Sequence, residues 1–197
     1  FSENDIGGIE GGITTSDENG EAINFNPPSR FRWDRFKTAN LAVRRDILEK
    51  IGGFDERYHM HREDTDLAWR VIDAGFIMAW APQCIVHHPE PLGWHEDGIP
   101  GSSKFGVYPR SEQLLYHCNP KKYVESAASL ISRESFSDGS LWKLQRDLRT
   151  LQDPPDVKPL TRFQSWILWS RAWRLAVFWA IRKVVIGDPK RPIHSIE

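Results

Sequence analysis

Residues 63–80 constrain the fold more tightly than any other part of the chain. Between 64 and 74 the apolar residues Leu67, Ala68, Val71, Ile72 and Ala74 recur at the spacing of one helix face, and Gly75 stands where a left-handed residue would stop that helix. Residues 76–80 follow at once, short and apolar, and read as a strand. A helix that runs straight into an apolar strand needs a sheet for the strand to enter and a sheet face for the helix to cover, so the chain is expected to be α/β.

The flanking segments fit that plan. Residues 6–13 set isoleucines among glycines and suit a short strand, and 36–43 read as a buried strand with polar Asn40 in mid-course. Residues 46–51 form a short helix stopped by Gly52 and Gly53, with Asp46 near its positive end. Beyond Ala81-Pro82, residues 84–87 read as a second strand segment, and loop is expected from Pro89 to about Pro109. Helical patterning resumes over 112–116, 123–132 and 141–151, and Asp153-Pro154-Pro155-Asp156 makes a hinge. The expected organisation is a main domain over 1–110, a helical extension over 111–152 and a Trp/Arg-rich segment over 153–197.

Composition removes several classes of function. The 197 residues suffice for one core with a helical appendage, and 40% hydrophobic with 27% charged residues fits a folded domain and not a polytopic membrane protein. The 26 basic and 27 acidic residues nearly cancel, leaving a net charge of -1 and no global attraction to nucleic acid. Cys84 and Cys118 lie far apart with no CxxC spacing, which suggests neither a zinc site nor a disulfide framework and favours a cytoplasmic setting. No signal peptide and no long uncharged apolar run is evident.

The chemistry is carried by motifs in a fixed order. They are Thr38-Ala39-Asn40-Leu41-Ala42-Val43-Arg44-Arg45, Ile51-Gly52-Gly53-Phe54-Asp55-Glu56, Arg62-Glu63-Asp64-Thr65-Asp66-Leu67-Ala68-Trp69-Arg70, Ala74-Gly75 and Val86-His87-His88. Together they resemble the second half of a family 2 glycosyltransferase, over roughly residues 6–90. The resemblance implies the C-terminal part of a GT-A fold followed by extra helices. It also implies inverting transfer of a hexose or similar sugar from a nucleotide-sugar to a glycan or lipid-linked acceptor, as in polysaccharide biosynthesis.

On that resemblance the Glu63-Asp64 pair is catalytic, and Asp64 is the general base on the acceptor hydroxyl. An alcohol attacks an acetal carbon poorly until its proton leaves as the bond forms, and a positioned carboxylate gives about 10²–10⁴-fold. The plainer reading is that acidic residues favour a helix N-terminus. Asn40, Gly53, Phe54, Asp55, Glu56 and Trp94 would flank the acceptor pocket, although Gly52 and Gly53 read equally well as a helix stop, and Trp94, like Trp33, as core. His88 matches a metal ligand of some GT-A enzymes and would serve a divalent ion, Mn²⁺ or Mg²⁺, only alongside the donor-binding half.

Asp64-Thr65-Asp66 spells a D-x-D, but residues two apart on a helix point to nearly opposite sides and grip one cation poorly. The family's D-x-D would fall before Phe1, so the donor-binding half is expected to be absent from this chain. Asp66 and Arg70 are spaced for an i,i+4 ion pair. A hydrolase using Glu63 and Asp64 fits badly, because adjacent side chains on a helix diverge.

Four of the nine tryptophans, Trp166, Trp169, Trp173 and Trp179, crowd into 163–186. On a helix Arg171, Arg174 and Arg182 fall within an arc of about 80°. Indole and arginine together suit a membrane surface on the cytoplasmic side; the alternative is packing on another domain or subunit. The rival to catalysis is a non-catalytic interaction or membrane-docking module paired with a nucleotide-binding subunit.

Overall fold

The computed structural model describes residues 5–16, 22–24, 36–59, 61–88, 107–131, 140–149 and 156–186. Trp94 and Trp33 lie outside the described residues. The chain divides into two compact units, one drawing on Phe1–Glu56 and Glu63–Gly98 and the other on Arg57–Arg62 and Ile99–Lys190.

The first unit is mixed α/β. Its centre is β1 (Ile6–Ser16), flanked along one edge by the parallel strand β4 (Ile77–His87). Along the other edge run the short antiparallel strands β2 (Ala22–Asn24) and β3 (Leu41–Val43). Two helices, α1 (Arg45–Lys50) and α2 (Glu63–Asp73), lie on the path from β1 to its parallel partner β4, which requires a long crossover. α2 packs on β1 and β4 and buries Leu67, Ala68, Trp69 and Val71. Full burial of a side chain such as Leu67 or Val71 stabilises by about 1.5–3 kcal/mol.

The glycines of β1 mark where neighbours sit hard against the strand. A Cβ on Gly7 would lie 2.6 Å from Val71 Cγ1, and one on Gly11 would lie 2.3 Å from both Asn40 Nδ2 and the Cys84 carbonyl oxygen. The helix stops expected at Gly52 and Gly75 are present, with φ of 83° and 90°.

Two expectations are revised. Residues 36–43 do not form one strand: Thr38–Asn40 is a single 3-10 turn, and only Leu41–Val43 pairs with β1. Asn40 is better placed in a turn, because its side-chain amide there donates to the carbonyls of Gly12 and Cys84, both at 2.8 Å. The two segments expected around Ala81-Pro82 are one strand, β4, with a bulge. Its register jumps from Gly11 opposite Ala81 to Gly12 opposite Ile85. Pro82 has no N–H to give the ladder, so the chain must loop out there before pairing resumes.

The second unit is helical among the described residues: α3 (Val107–Cys118), α4 (Pro120–Ile131), α5 (Ser140–Asp147) and α6 (Arg162–Ile186). α3 begins before Pro109, which its first turn accommodates because an N-terminal N–H has no helical partner to lose. α4 packs along α6, where Ala127 and Ala128 on one helix and Ala172 and Ala176 on the other are buried and allow close approach. Thr161 and Gln164 form a reciprocal capping box at the start of α6, with the Gln164 N–H donating to Thr161 Oγ1 at 3.2 Å and the Thr161 N–H to Gln164 Oε1 at 2.9 Å.

Candidate functional site

Glu63 and Asp64 occupy the first turn of α2, both half-buried, where unpaired backbone N–H groups favour negative charge. Asp64 Oδ1 accepts from the Thr65 N–H at 2.7 Å and from Thr65 Oγ1 at 3.3 Å. Both bonds go to one oxygen of the carboxylate, which orients the other.

Asp66 and Arg70 make the expected i,i+4 pair, Nε to Oδ2 at 2.8 Å, with Asp66 buried. Arg70 does more than pair. Its Nη1 donates to the Ile51 carbonyl at 2.9 Å, so the guanidinium ties the middle of α2 to the residue that ends α1. The turn Gly52-Gly53-Phe54-Asp55-Glu56 leaves from that point, with Phe54 47% exposed, Glu56 exposed and Gly53 and Asp55 half-buried. The spacing of Asp66 and Arg70 announces the ion pair; nothing local announces Ile51 as its third member.

The structure uses Asn40 Nδ2 to bridge β1 and β4, leaving the amide oxygen as the atom that could meet a ligand. His88 is exposed at the carboxyl end of β4, its N–H donating to the Thr14 carbonyl at 2.8 Å, and His87 Nδ1 lies 3.3 Å from Thr14 Oγ1. Among the described residues no three His, Cys, Asp or Glu side chains come together to hold a metal. One imidazole does not make a cation site, so the described residues do not fit a resident metal without further ligands.

The helical unit holds a charged cluster that motif and spacing did not reveal. Glu112 of α3 is buried and accepts from Arg62 Nε at 2.6 Å and from the Tyr123 hydroxyl at 2.8 Å, with His61 Nε2 at 2.9 Å. Burial opposes its ionisation, but the Arg62 charge and the His61 contact outweigh that and hold its pKa at about 2. Burial and the adjacent Glu112 charge push the Tyr123 hydroxyl well above its usual range. His61 and Arg62 both have positive φ, 71° and 72°, which is uncommon away from glycine. In sequence, Arg62 directly precedes Glu63.

A Bacillus subtilis protein described as a probable glycosyltransferase, YdaM, is 40% identical over 68 residues, covering 32% of this chain and 16% of that protein. An N-acetylglucosaminyl-diphospho-decaprenol L-rhamnosyltransferase of Mycobacterium tuberculosis is 45% identical over 76 residues, covering 38% of this chain and 24% of that protein. The chain is related to glycosyltransferases. An O-antigen biosynthesis protein of Myxococcus xanthus, RfbC, is 31% identical over 68 residues, covering 34% of this chain and 5% of that protein. The aligned stretch therefore spans less than a quarter of the length of these relatives. No family model and no solved structure matches. The relatives accord with the family 2 resemblance carried by the motifs, and they do not favour the non-catalytic module.

Proposed function

We propose that this chain carries the acceptor side of an inverting, family 2 type glycosyl transfer, with its first unit as the C-terminal part of a GT-A fold. The observation that carries the reading is the Glu63-Asp64 turn, at the start of a helix fixed to the sheet, in a chain whose relatives are glycosyltransferases. The Asp64 carboxylate takes the proton of the acceptor hydroxyl through Oδ2 while Thr65 holds Oδ1. As the acceptor oxygen bonds to the anomeric carbon, the bond from that carbon to the diphosphate breaks, and the nucleoside diphosphate leaves with the electron pair. One displacement inverts the anomeric centre.

Glu63 shares the turn and keeps the local field negative. Phe54 offers an apolar face to a sugar ring, and Asp55, Glu56 and the Asn40 amide oxygen offer acceptors to its hydroxyls, with Gly53 letting the backbone come close and Trp94 as a further stacking candidate. The donor is a nucleotide-sugar and the acceptor a glycan or a lipid-linked sugar, met on the cytoplasmic side of a membrane where nucleotide-sugars are available. A divalent ion, Mn²⁺ or Mg²⁺, would offset charge on the leaving diphosphate only where a donor-binding half supplied further ligands beside His88.

The test is sugar transfer from UDP-, GDP- and dTDP-linked donors to a polyprenyl-diphosphate-linked acceptor by the chain together with a donor-binding half, comparing wild type with Asp64→Asn. Loss of about 10²–10⁴-fold in kcat with acceptor binding retained is expected. An Asp64→Asn protein that transfers at the wild-type rate ends the assignment of the base. A wild-type chain that binds no acceptor ends the transferase reading.

A further inference from the structure

α6 presents an apolar face that glycosyl transfer at α2 does not use. One side of the helix is buried in the helical unit through Leu168, Trp169, Ala172 and Ala176. The opposite side carries Phe163, Trp166, Trp173, Val177, Ile181 and Val184, all exposed, Trp166 by 63% and Val184 by 87%. At 100° per residue these six fall within an arc of about 80°. Phe163 and Trp166 stack on one another at the start of the stripe, ring centroids 6.1 Å apart. A helix apolar on both sides is ordinarily covered on both.

The charges identify what covers it. The 25 residues of α6 contain no Asp or Glu, and Arg171, Arg174 and Arg182 run along one flank of the stripe, spanning about the next 100° of arc, with Arg162 and Lys183 toward the ends. No helix among the described residues is long and apolar enough to cross a membrane. Arginines in mid-helix also make burial at a bilayer centre costly. We propose that α6 lies in the plane of an anionic membrane surface, its Trp, Phe, Val and Ile stripe entering the headgroup and acyl boundary while the flanking arginines meet lipid phosphates. The arrangement argues against a second copy of the same face, since an antiparallel pairing would set arginines of one stripe against arginines of the other, and a parallel pairing would still give neither arginine flank an acidic partner. Docking of α6 on a membrane is independent of which sugar is transferred and of whether Asp64 is the base.

The test is co-sedimentation of the protein with vesicles of phosphatidylcholine alone and of phosphatidylcholine with phosphatidylglycerol. Two variants are compared with wild type, Trp166→Ser with Ile181→Ser, and Arg171→Glu with Arg174→Glu, each checked for unchanged circular dichroism and sedimentation velocity. Wild type should bind the anionic vesicles with a blue shift of tryptophan emission, and each variant should bind at least about tenfold more weakly. Salt should weaken wild-type binding. Absence of binding to anionic vesicles, or equal binding by the Trp166→Ser, Ile181→Ser protein, overturns the proposal. So does a wild-type dimer in the absence of lipid that the same variant abolishes, which would identify a second copy as the occupant. Transfer to a soluble acceptor, measured without vesicles, reports separately on the reaction.

Discussion

Arg62 and Glu112 form an ion pair with Nε and Oε1 2.6 Å apart and only 6% and 2% of their side chains exposed. Fifty residues separate them in sequence. The pair fastens the segment Arg57–Arg62 to α3 and sustains a left-handed backbone at His61 and Arg62 that neither residue adopts readily alone. Replacing Glu112 by Gln removes the charge while Arg62 stays buried, and breaking a buried pair from one side costs about 3–5 kcal/mol. Urea denaturation followed by circular dichroism should show a loss of that order; a change below about 1 kcal/mol would mean the pair contributes little beyond what water would give its members.

The same carboxylate makes stability depend on pH. Its pKa is lowered from 4.5 to about 2 in the folded protein, so its contribution is fully present above about 4.5 and disappears as the pH falls toward 2. Denaturation midpoints collected from pH 6 down to pH 2 should fall across that window in the wild type and less steeply in Glu112→Gln. Parallel slopes for the two proteins would assign the acid sensitivity to other carboxylates.

Asn40 joins β1 to β4 by donating to both Gly12 and Cys84 carbonyls from one nitrogen. Asn40→Ala leaves both oxygens without that donor and should destabilise by about 1–3 kcal/mol. Gly11→Ala should be worse, because its Cβ would be driven to 2.3 Å from the Cys84 carbonyl oxygen, a backbone atom that cannot rotate away. Thermal melts rank the two; an alanine at 11 that melts with the wild type would show that the strands can separate there without cost.

Arg70 spans Asp66 and the Ile51 carbonyl, the point where the 52–56 turn begins. Arg70→Lys keeps the charge and loses the two-pronged geometry, at a cost near that of one charged hydrogen bond, about 1.5–3 kcal/mol. If the turn faces the acceptor, the acceptor KM should rise by about tenfold with the donor KM unchanged. Steady-state kinetics in both substrates decide this, and a fall in kcat alone would separate the turn from acceptor binding.

The Thr161–Gln164 box caps α6 on two donors. Thr161→Ala should cost about 1 kcal/mol and fray the first turn, visible as reduced helicity and faster amide exchange at 162–164. Unchanged exchange there would indicate that packing against α4 alone sets where the helix starts.

Much of the first unit was legible because its signals are local. Helix spacing and the glycine stop of α2, the short helix before Gly52 and the strand around 6–13 each rest on residues within a turn or two of one another. The order of motifs around Glu63-Asp64 pointed to glycosyl transfer by its resemblance to family 2, and the chain's relatives are glycosyltransferases. Where a residue's partner lies far along the chain, local pattern misleads: residues 36–43 read as one strand because the carbonyls that recruit Asn40 belong to residues 12 and 84.

The sequence by itself determined the α/β character of the first unit, the helices of the second and the abundance of Trp and Arg in α6, since propensity, periodicity and composition are properties of neighbouring residues; Asp64 as base came only from the family resemblance. Only the tertiary structure decided that Glu112 is held ionised by Arg62, that Arg70 reaches Ile51, that β4 bulges past Pro82, and which tryptophans of α6 are buried or exposed. Burial and pairing depend on which distant groups arrive at a point in space, and a buried charge or an uncovered apolar face exists only once the chain has closed around it.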